Sequence, residues 1–304
     1  MLDGVSLDQL RAFIASVDEG SFSAAARKLR RAQSVVSDLI SGLEAQMVVQ
    51  LFDRSARYPT LTPAGIALLA DARSIISGVD FMKARAKGMS SGLEPELSVV
   101  VDVHFPIAAI TTAANEFKSL FPNTPLRLFV EALGATHQRV LDGTATVGVA
   151  ASLPNAPSSL GGEALAGVTI VMVAARHHPL ASIKGTIPRS ELAKHVQLVL
   201  TDRSSISDGV EFGVMSSLTW RLADLFAKHA FLLNGLGWGG MPVHAIRRNI
   251  AEGELVELSI QDAPAGGFIV PMSAIYRTSA PPGPAGRWFI DRLNRCSGTA
   301  PTVD

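Results

Sequence analysis

Arg30, Arg31, Gln33, Ser34 and Ser37 fall close together within Lys28–Glu44, "KLRRAQSVVSDLISGLE". Guanidinium, amide and hydroxyl groups at this density suit nucleic acid. Arginine forks onto phosphate or guanine, glutamine pairs with adenine through two hydrogen bonds, and serine serves base or phosphate. The same residues would also suit a solvated surface helix with a basic start. Total charge does not separate the two readings, because the chain carries 27 basic and 27 acidic residues. Residues 1–62 are balanced as well, so only the placement of charge can decide.

The elements around this stretch give the placement. Leu7, Leu10, Phe13, Ile14 and Val17 recur at helical spacing, with Ser6 as N-cap and Gly20 as the stop. Ser21 or Ser23 can cap a second, short helix through Ala24, Ala25, Ala26 and Leu29. A third helix carries Val36, Leu39, Ile40 and Leu43 on its inner face. A break of about four residues separates the second and third, as in a helix-turn-helix. "LFDRSARYPTLT" then reads as two short strands around a basic tip, Arg54 to Arg57. Three helices and a small hairpin make a winged helix.

Thr62-Pro63 is an N-cap followed by proline at the first helical position. A long helix to about Lys87 has Ile66, Leu69, Ile76, Val79 and Met82 as one apolar stripe, suited to pairing with a second copy. After "SSGLEPE" the texture changes to alternating strands and helices. The run "LSVVVDV" opens one series and "GVTIVMVAA" a second, with a helix expected around Trp220 to Lys228. Alternation of this kind implies two α/β subdomains on mostly parallel sheet.

Composition narrows the class. Hydrophobic residues at 47% and charged residues at 18% suit packed globular domains, and 304 residues favour about two. No apolar run reaches the roughly 18 residues of a membrane span. The start lacks a basic, then apolar, leader, and Cys296 is the single cysteine, so a cytoplasmic protein is expected.

The N-terminal residues resemble those of the LysR-type transcriptional regulators. The matching elements are Gly20-Ser21-Phe22, Ala25-Ala26, Leu29, Gln33-Ser34, Val36-Ser37, Leu43-Glu44, Leu51-Phe52, Arg54, Arg57 and Leu61-Thr62-Pro63-Ala64-Gly65. They cover about 60 residues in order. "HPLA" at 178–181 and "GLGWGGMP" at 235–242 also look like family motifs. The resemblance implies an α/β protein with an N-terminal winged helix-turn-helix over 1–62 and a linker and dimerisation helix over 63–90. It also implies a two-lobed effector domain, like the periplasmic binding proteins, over 91–298. Lobe I is expected at about 93–164 plus 268–296, and lobe II at about 165–267. Three positions depart from the family's pattern. Val48 stands where a glycine is usual before the wing, Asp38 where a neutral or basic residue is usual, and Thr146 where an acid is frequent.

A recognition helix enters the major groove by its N-terminal turns, which here carry Gln33, Ser34 and Ser37. Arg30 and Arg31 in the turn can reach backbone or groove, and Arg54 and Arg57 on the wing suit phosphate or the minor groove. The resemblance adds Ser23 as a phosphate contact. Asp38 either accepts from a cytosine amino group or points away from the phosphates. An effector is expected between the lobes, near strand ends. Candidates are Asp102, His104 and Phe105 after the first strand, Thr201, Asp202, Arg203 and Ser204 after a later one, and Trp220. Arg203 could pair with an effector carboxylate, a small organic acid being the default for this architecture, or equally bridge to Asp202 or Asp208. No cofactor is implied. Expected partners are double-stranded DNA, the effector, a homodimer or homotetramer through the linker helix and effector domain, and RNA polymerase, with no membrane.

Two other classes compete with this reading. "GLGWGG" fits G-x-G-x-x-G with Asp262 downstream, which would suit an NAD-binding oxidoreductase, but Met241-Pro242 interrupts the helix that should follow. A solute-binding protein would fit the C-terminal part but not the winged helix. His177-His178 read as loop residues, there is no nucleophile elbow, and a non-enzyme is expected.

Overall fold

A computed structural model of the chain describes residues 4–55, 59–153, 156–201, 204, 206 and 211–298, with the backbone alone for 296–298. Of the candidate site residues, Arg57, Asp202 and Arg203 lie outside the described residues. The chain divides into two compact units, Met1–Lys87 and Gly88–Asp304.

In the first unit, α1 (Leu7–Asp18), α2 (Phe22–Leu29) and α3 (Gln33–Met47) enclose one core. Ser6 starts α1 with a full capping box. Its hydroxyl accepts from the Gln9 N–H, and the Gln9 amide oxygen accepts from the Ser6 N–H. Of the two serines expected to start α2, Ser21 does so, accepting from the Ala24 N–H. Three residues, not four, separate α2 from α3, because Arg30 takes a left-handed conformation (φ 55°) and reverses the chain quickly. Val36, Ile40 and Leu43 are buried against Phe13, Ala25 and Leu51, with Leu39 at the margin. Each large side chain so buried contributes about 1.5–3 kcal/mol.

The wing follows as antiparallel β1 (Phe52–Asp53) and β2 (Thr60–Leu61). Glu44, near the end of α3, anchors it. Its buried carboxylate accepts from the Leu51 N–H (2.8 Å), the Phe52 N–H (3.1 Å) and Arg54 Nη2 (2.8 Å). Between them sits Val48 at φ 56° and ψ 34°. The turn keeps the left-handed conformation that glycine adopts freely, with a β-branched residue in its place. Val48 is 87% exposed, so packing returns little for this strain. Val48→Gly should therefore raise stability by about 1 kcal/mol. Urea denaturation checks this, and a loss of stability would show that the turn is not strained.

The helix α4 (Pro63–Ser90) begins at Thr62, whose Oγ1 accepts from the Gly65 N–H and donates to the Gln50 carbonyl. Its apolar residues do not form the single free stripe expected. Leu69 and Ile76, with Leu68 and Ala72, pack on the winged-helix core, whereas Ile66 and Met82 stay mostly exposed. The helix thus has an inward apolar face and a second, outward one.

The second unit contains β3 (Leu97–Asp102), α5 (Ile107–Leu120), β4 (Leu126–Glu131), α6 (Gly134–Leu141), β5 (Val147–Ala151) and β6 (Leu160–Ala175). Next come α7 (Arg189–Leu192), β7 (Gln197–Leu200), β8 (Thr219–Leu222), α8 (Leu225–Leu233), β9 (Trp238–Pro242), α9 (Val243–Ala251) and β10 (Leu255–Glu257). The unit ends with β11 (Phe268–Arg277) and α10 (Pro284–Gly298). Strand order is β4-β3-β5-β11-β6-β9-β7-β8, with β10 also on β6.

Pairing is parallel inside each lobe (β4-β3-β5 and β9-β7-β8). It is antiparallel wherever β6 or β11 takes part, so the sheet is mixed rather than mostly parallel. The reason is topological. The chain crosses between lobes once on β6 and returns on β11, and neighbouring strands of opposite travel must be antiparallel. Val99, Val101, Val147 and Val149 form the first-lobe core with Phe117 and Phe289. Trp238, Leu198 and Leu232 are buried in the second lobe.

Two local expectations change. Trp220 lies on the edge strand β8 rather than in a helix, because "TWRL" is a short β-prone run before Asp224, which caps α8 through the Ala227 N–H. "GLGWGG" runs into β9, and a Cβ at Gly239 would stand 2.5 Å from the Leu198 carbonyl. The glycine there serves close strand approach, and the strand–loop–helix context of dinucleotide binding is missing.

Candidate functional site

The N-terminal turn of α3 is open on its outer side. Gln33 and Ser34 are exposed and Ser37 is half-buried. Ala32 occupies the N-cap and offers no side-chain acceptor, so the first N–H groups of α3 are left for solvent or an anion. Ser23, in the first turn of α2, donates from its hydroxyl to Gln33 Oε1 at 2.7 Å. The fold thus joins two of the expected residues across the turn and orients the glutamine amide.

Charge placement explains the neutral total. Arg31 pairs with Asp8 at 2.7 Å, and Lys28 with Glu19 at 2.7 Å. The hydrogen bond that Lys28 donates to Glu19 raises the lysine's pKa above its ordinary value. Arg54 is engaged by Glu44 and lies 5.4 Å over the Phe22 ring. Three of the acids are thus bound to these flanking cations. Arg30 is exposed and makes no ion pair among the described residues, and Asp38 is likewise exposed on α3.

In the second unit, a cavity of about 340 Å³ lies between the lobes, at the small end of small-molecule sites. His104, Leu133 and Ser152 line it from one lobe, Gln197, Met215 and Lys228 from the other, and the crossing strands add Ile170 and Phe268. Of the residues expected here, His104 alone lines the cavity among those described. Asp102 is fully buried instead. It accepts from the His104 N–H (2.9 Å) and Nδ1 (2.7 Å), and its other oxygen from the Leu133 N–H (3.1 Å). It fixes two lining residues, including Leu133 at a left-handed φ of 50°. Phe105 is buried in the first-lobe core. Thr201 and Ser204 are not among the lining residues, and Trp220 is half exposed on β8, packed edge-on to Phe231.

Two of the unexpected lining residues are buried polar or charged side chains, Gln197 and Lys228. Gln197 is buried and its amide oxygen is saturated, accepting from the Met215 and Ser216 N–H groups, while its NH₂ donates to the Gly213 carbonyl. It holds the cavity wall rather than reaching a ligand. Lys228 is only 4% exposed, and burial lowers its pKa to about 8. The one signal was a lysine inside the apolar helix "LFAKHAFLL". Among the described residues no group of His, Cys, Asp and Glu is arranged to hold a metal ion. Among the same residues no helix is long and apolar enough to cross a membrane.

A winged helix-turn-helix followed by a two-lobed unit with a cavity between its lobes is the plan of a ligand-responsive transcription regulator. The model described as "Bacterial regulatory helix-turn-helix protein, lysR family" matches residues 7–66, and "LysR substrate binding domain" matches residues 90–296. The chain belongs to the LysR family of transcriptional regulators, with a DNA-binding helix-turn-helix and an effector-binding domain. It is similar to the transcriptional regulator AceR of Acinetobacter baumannii, 27% identical over 291 residues, covering 95% of this chain and 96% of that one. It is also similar to the transcriptional activator AllS of Klebsiella pneumoniae, 27% identical over 260 residues, covering 82% of this chain and 93% of that one. The fold is shared with a cysteine mutant of OxyR from Corynebacterium glutamicum. There the TM-score is 0.59 at 23% identity, covering 96% of this chain and 93% of that one.

Proposed function

We propose that α3 enters the major groove of an inverted-repeat operator. Gln33, Ser34 and Ser37 would face bases and phosphates, and Arg30 and Ser23 the backbone. Arg31 and Arg54, with Arg57 beyond the described tip, would lie at the flanks. The copies would meet through the outward apolar face of α4 and through the effector domain, as a dimer or as a tetramer built from two dimers in the cytoplasm. A small molecule in the interlobe cavity would favour one arrangement of the oligomer over another and so change its grip on DNA, and on RNA polymerase where that is recruited. The observation that carries the DNA reading is the 2.7 Å bond between Ser23 and Gln33 at an uncapped helix start, beside an Arg30 that makes no ion pair among the described residues.

The experiment is genome-wide mapping of the sites that the full chain occupies. The expected result is enrichment at inverted repeats upstream of genes. Occupancy with no shared sequence would reject specific readout by α3.

A further inference from the structure

We infer that the interlobe cavity takes a small organic monocarboxylate, its carboxylate on Lys228 and its apolar body against the leucine, methionine and phenylalanine side chains of the walls. This deepens the reading of the cavity as the effector site and rests on it.

Lys228 projects from α8, and its stem passes over β9 where Gly239 has no side chain; a Cβ there would lie 3.3 Å from Lys228 Cε. The side chain is 4% exposed, lines the cavity, and makes no hydrogen bond or ion pair among the described residues. An unpaired ammonium in such a place is costly, and proteins otherwise pair buried charges or neutralise them. The surrounding polar groups do not supply a partner. The Gln197 amide oxygen already accepts from two backbone N–H groups, and His104 Nδ1 is held on Asp102. On α8 itself, Asp224 accepts from the Ala227 N–H and His229 bonds Asn249. No carboxylate is found among the described lining residues. Among the described residues the counter-charge is missing, and the ligand's carboxylate would take that place.

The rest of the lining sets the ligand's body. Leu133, Met172, Leu198, Met215 and Phe268 offer apolar contact and few further donors. A phosphate group, with three acceptor oxygens, would go largely unsatisfied, whereas one carboxylate matches one ammonium. Burial keeps the free lysine's pKa near 8, so the free protein is still mostly charged at pH 7, and a bound anion would raise it.

The test is isothermal titration of the full chain with butyrate, hexanoate, benzoate and phenylacetate, each beside its primary amide and the corresponding amine. Wild type is compared with Lys228→Met and with Ser152→Trp, which fills the cavity from its rim. At least one acid is expected to bind about tenfold or more tighter than its amide, and Lys228→Met to lose that advantage while keeping amide binding. Wild-type affinity for the acid should fall about tenfold between pH 7 and pH 9, as the lysine gives up its proton. Acids that bind no better than amides or amines, or equally well to Lys228→Met, overturn the inference while leaving the cavity an effector site, provided Ser152→Trp blocks binding. If Ser152→Trp leaves binding intact, or no probe of any charge binds, both fall together.

Discussion

Glu44→Ala is expected to destabilise the first unit by about 3 kcal/mol or more and to abolish DNA binding. The carboxylate, 5% exposed, is the acceptor for two backbone N–H groups, those of Leu51 and Phe52, where the chain leaves α3 for the wing. A buried N–H left without an acceptor costs roughly 1–3 kcal/mol, and alanine leaves two. Arg54 would lose its partner as well, but its side chain is 39% exposed, so water takes over most of that loss. Glu44→Gln should fall between, because one amide oxygen can still accept while its NH₂ faces a donor. Urea denaturation of the full chain gives the stability. Undiminished stability in Glu44→Ala would mean that the wing has another anchor.

The second large effect runs the other way. Lys228→Met should stabilise the ligand-free protein at pH 7, by an amount on the order of 3 kcal/mol. The cause is the desolvation that brings the lysine from 10.5 to about 8. At pH 7 both folded and unfolded lysines are charged, so wild type bears the whole penalty. Between pH 8 and 10.5 the folded lysine is neutral while the unfolded one keeps its proton. Wild type therefore gains stability relative to the variant as pH rises through this window, and the gap closes near pH 10.5. Melting temperatures of both proteins from pH 7 to 10 measure it. A gap that does not change with pH would assign the gain to packing alone. Together with the lost anion response, a stabilised variant would mark Lys228 as a residue kept for function at the expense of stability.

How far the sequence was readable follows from the range of the forces involved. The helix-turn-helix was legible because caps, periodicity and turn length are local. Ser6, the Val36–Ile40–Leu43 face and Thr62 all behave as their spacing predicts. Arg31 and Arg54 could be placed but not their partners, since Asp8 and Glu44 are distant in sequence or on another element. The split of the α4 stripe depended on tertiary packing that periodicity does not encode. The cavity was the least legible part. Its position at strand ends was expected, yet Asp102 faces inward to hold His104 and Leu133, and Phe105 joins the core. Lys228 looked like an ordinary helix residue because its burial comes from packing over Gly239 on β9 and from the cavity it lines, neither of which helical spacing encodes.

The central claim is that the start of α3 and the turn before it grip DNA. The most direct measurement is the affinity of the full chain for one of its mapped sites across a salt series, for wild type and Arg30→Ala. Arg30 is exposed and unpaired among the described residues, so its loss should leave the fold intact. The expected result is weaker binding and a salt slope lower by about one for each Arg30 removed from a phosphate. Equal affinity and an unchanged slope in Arg30→Ala would contradict it.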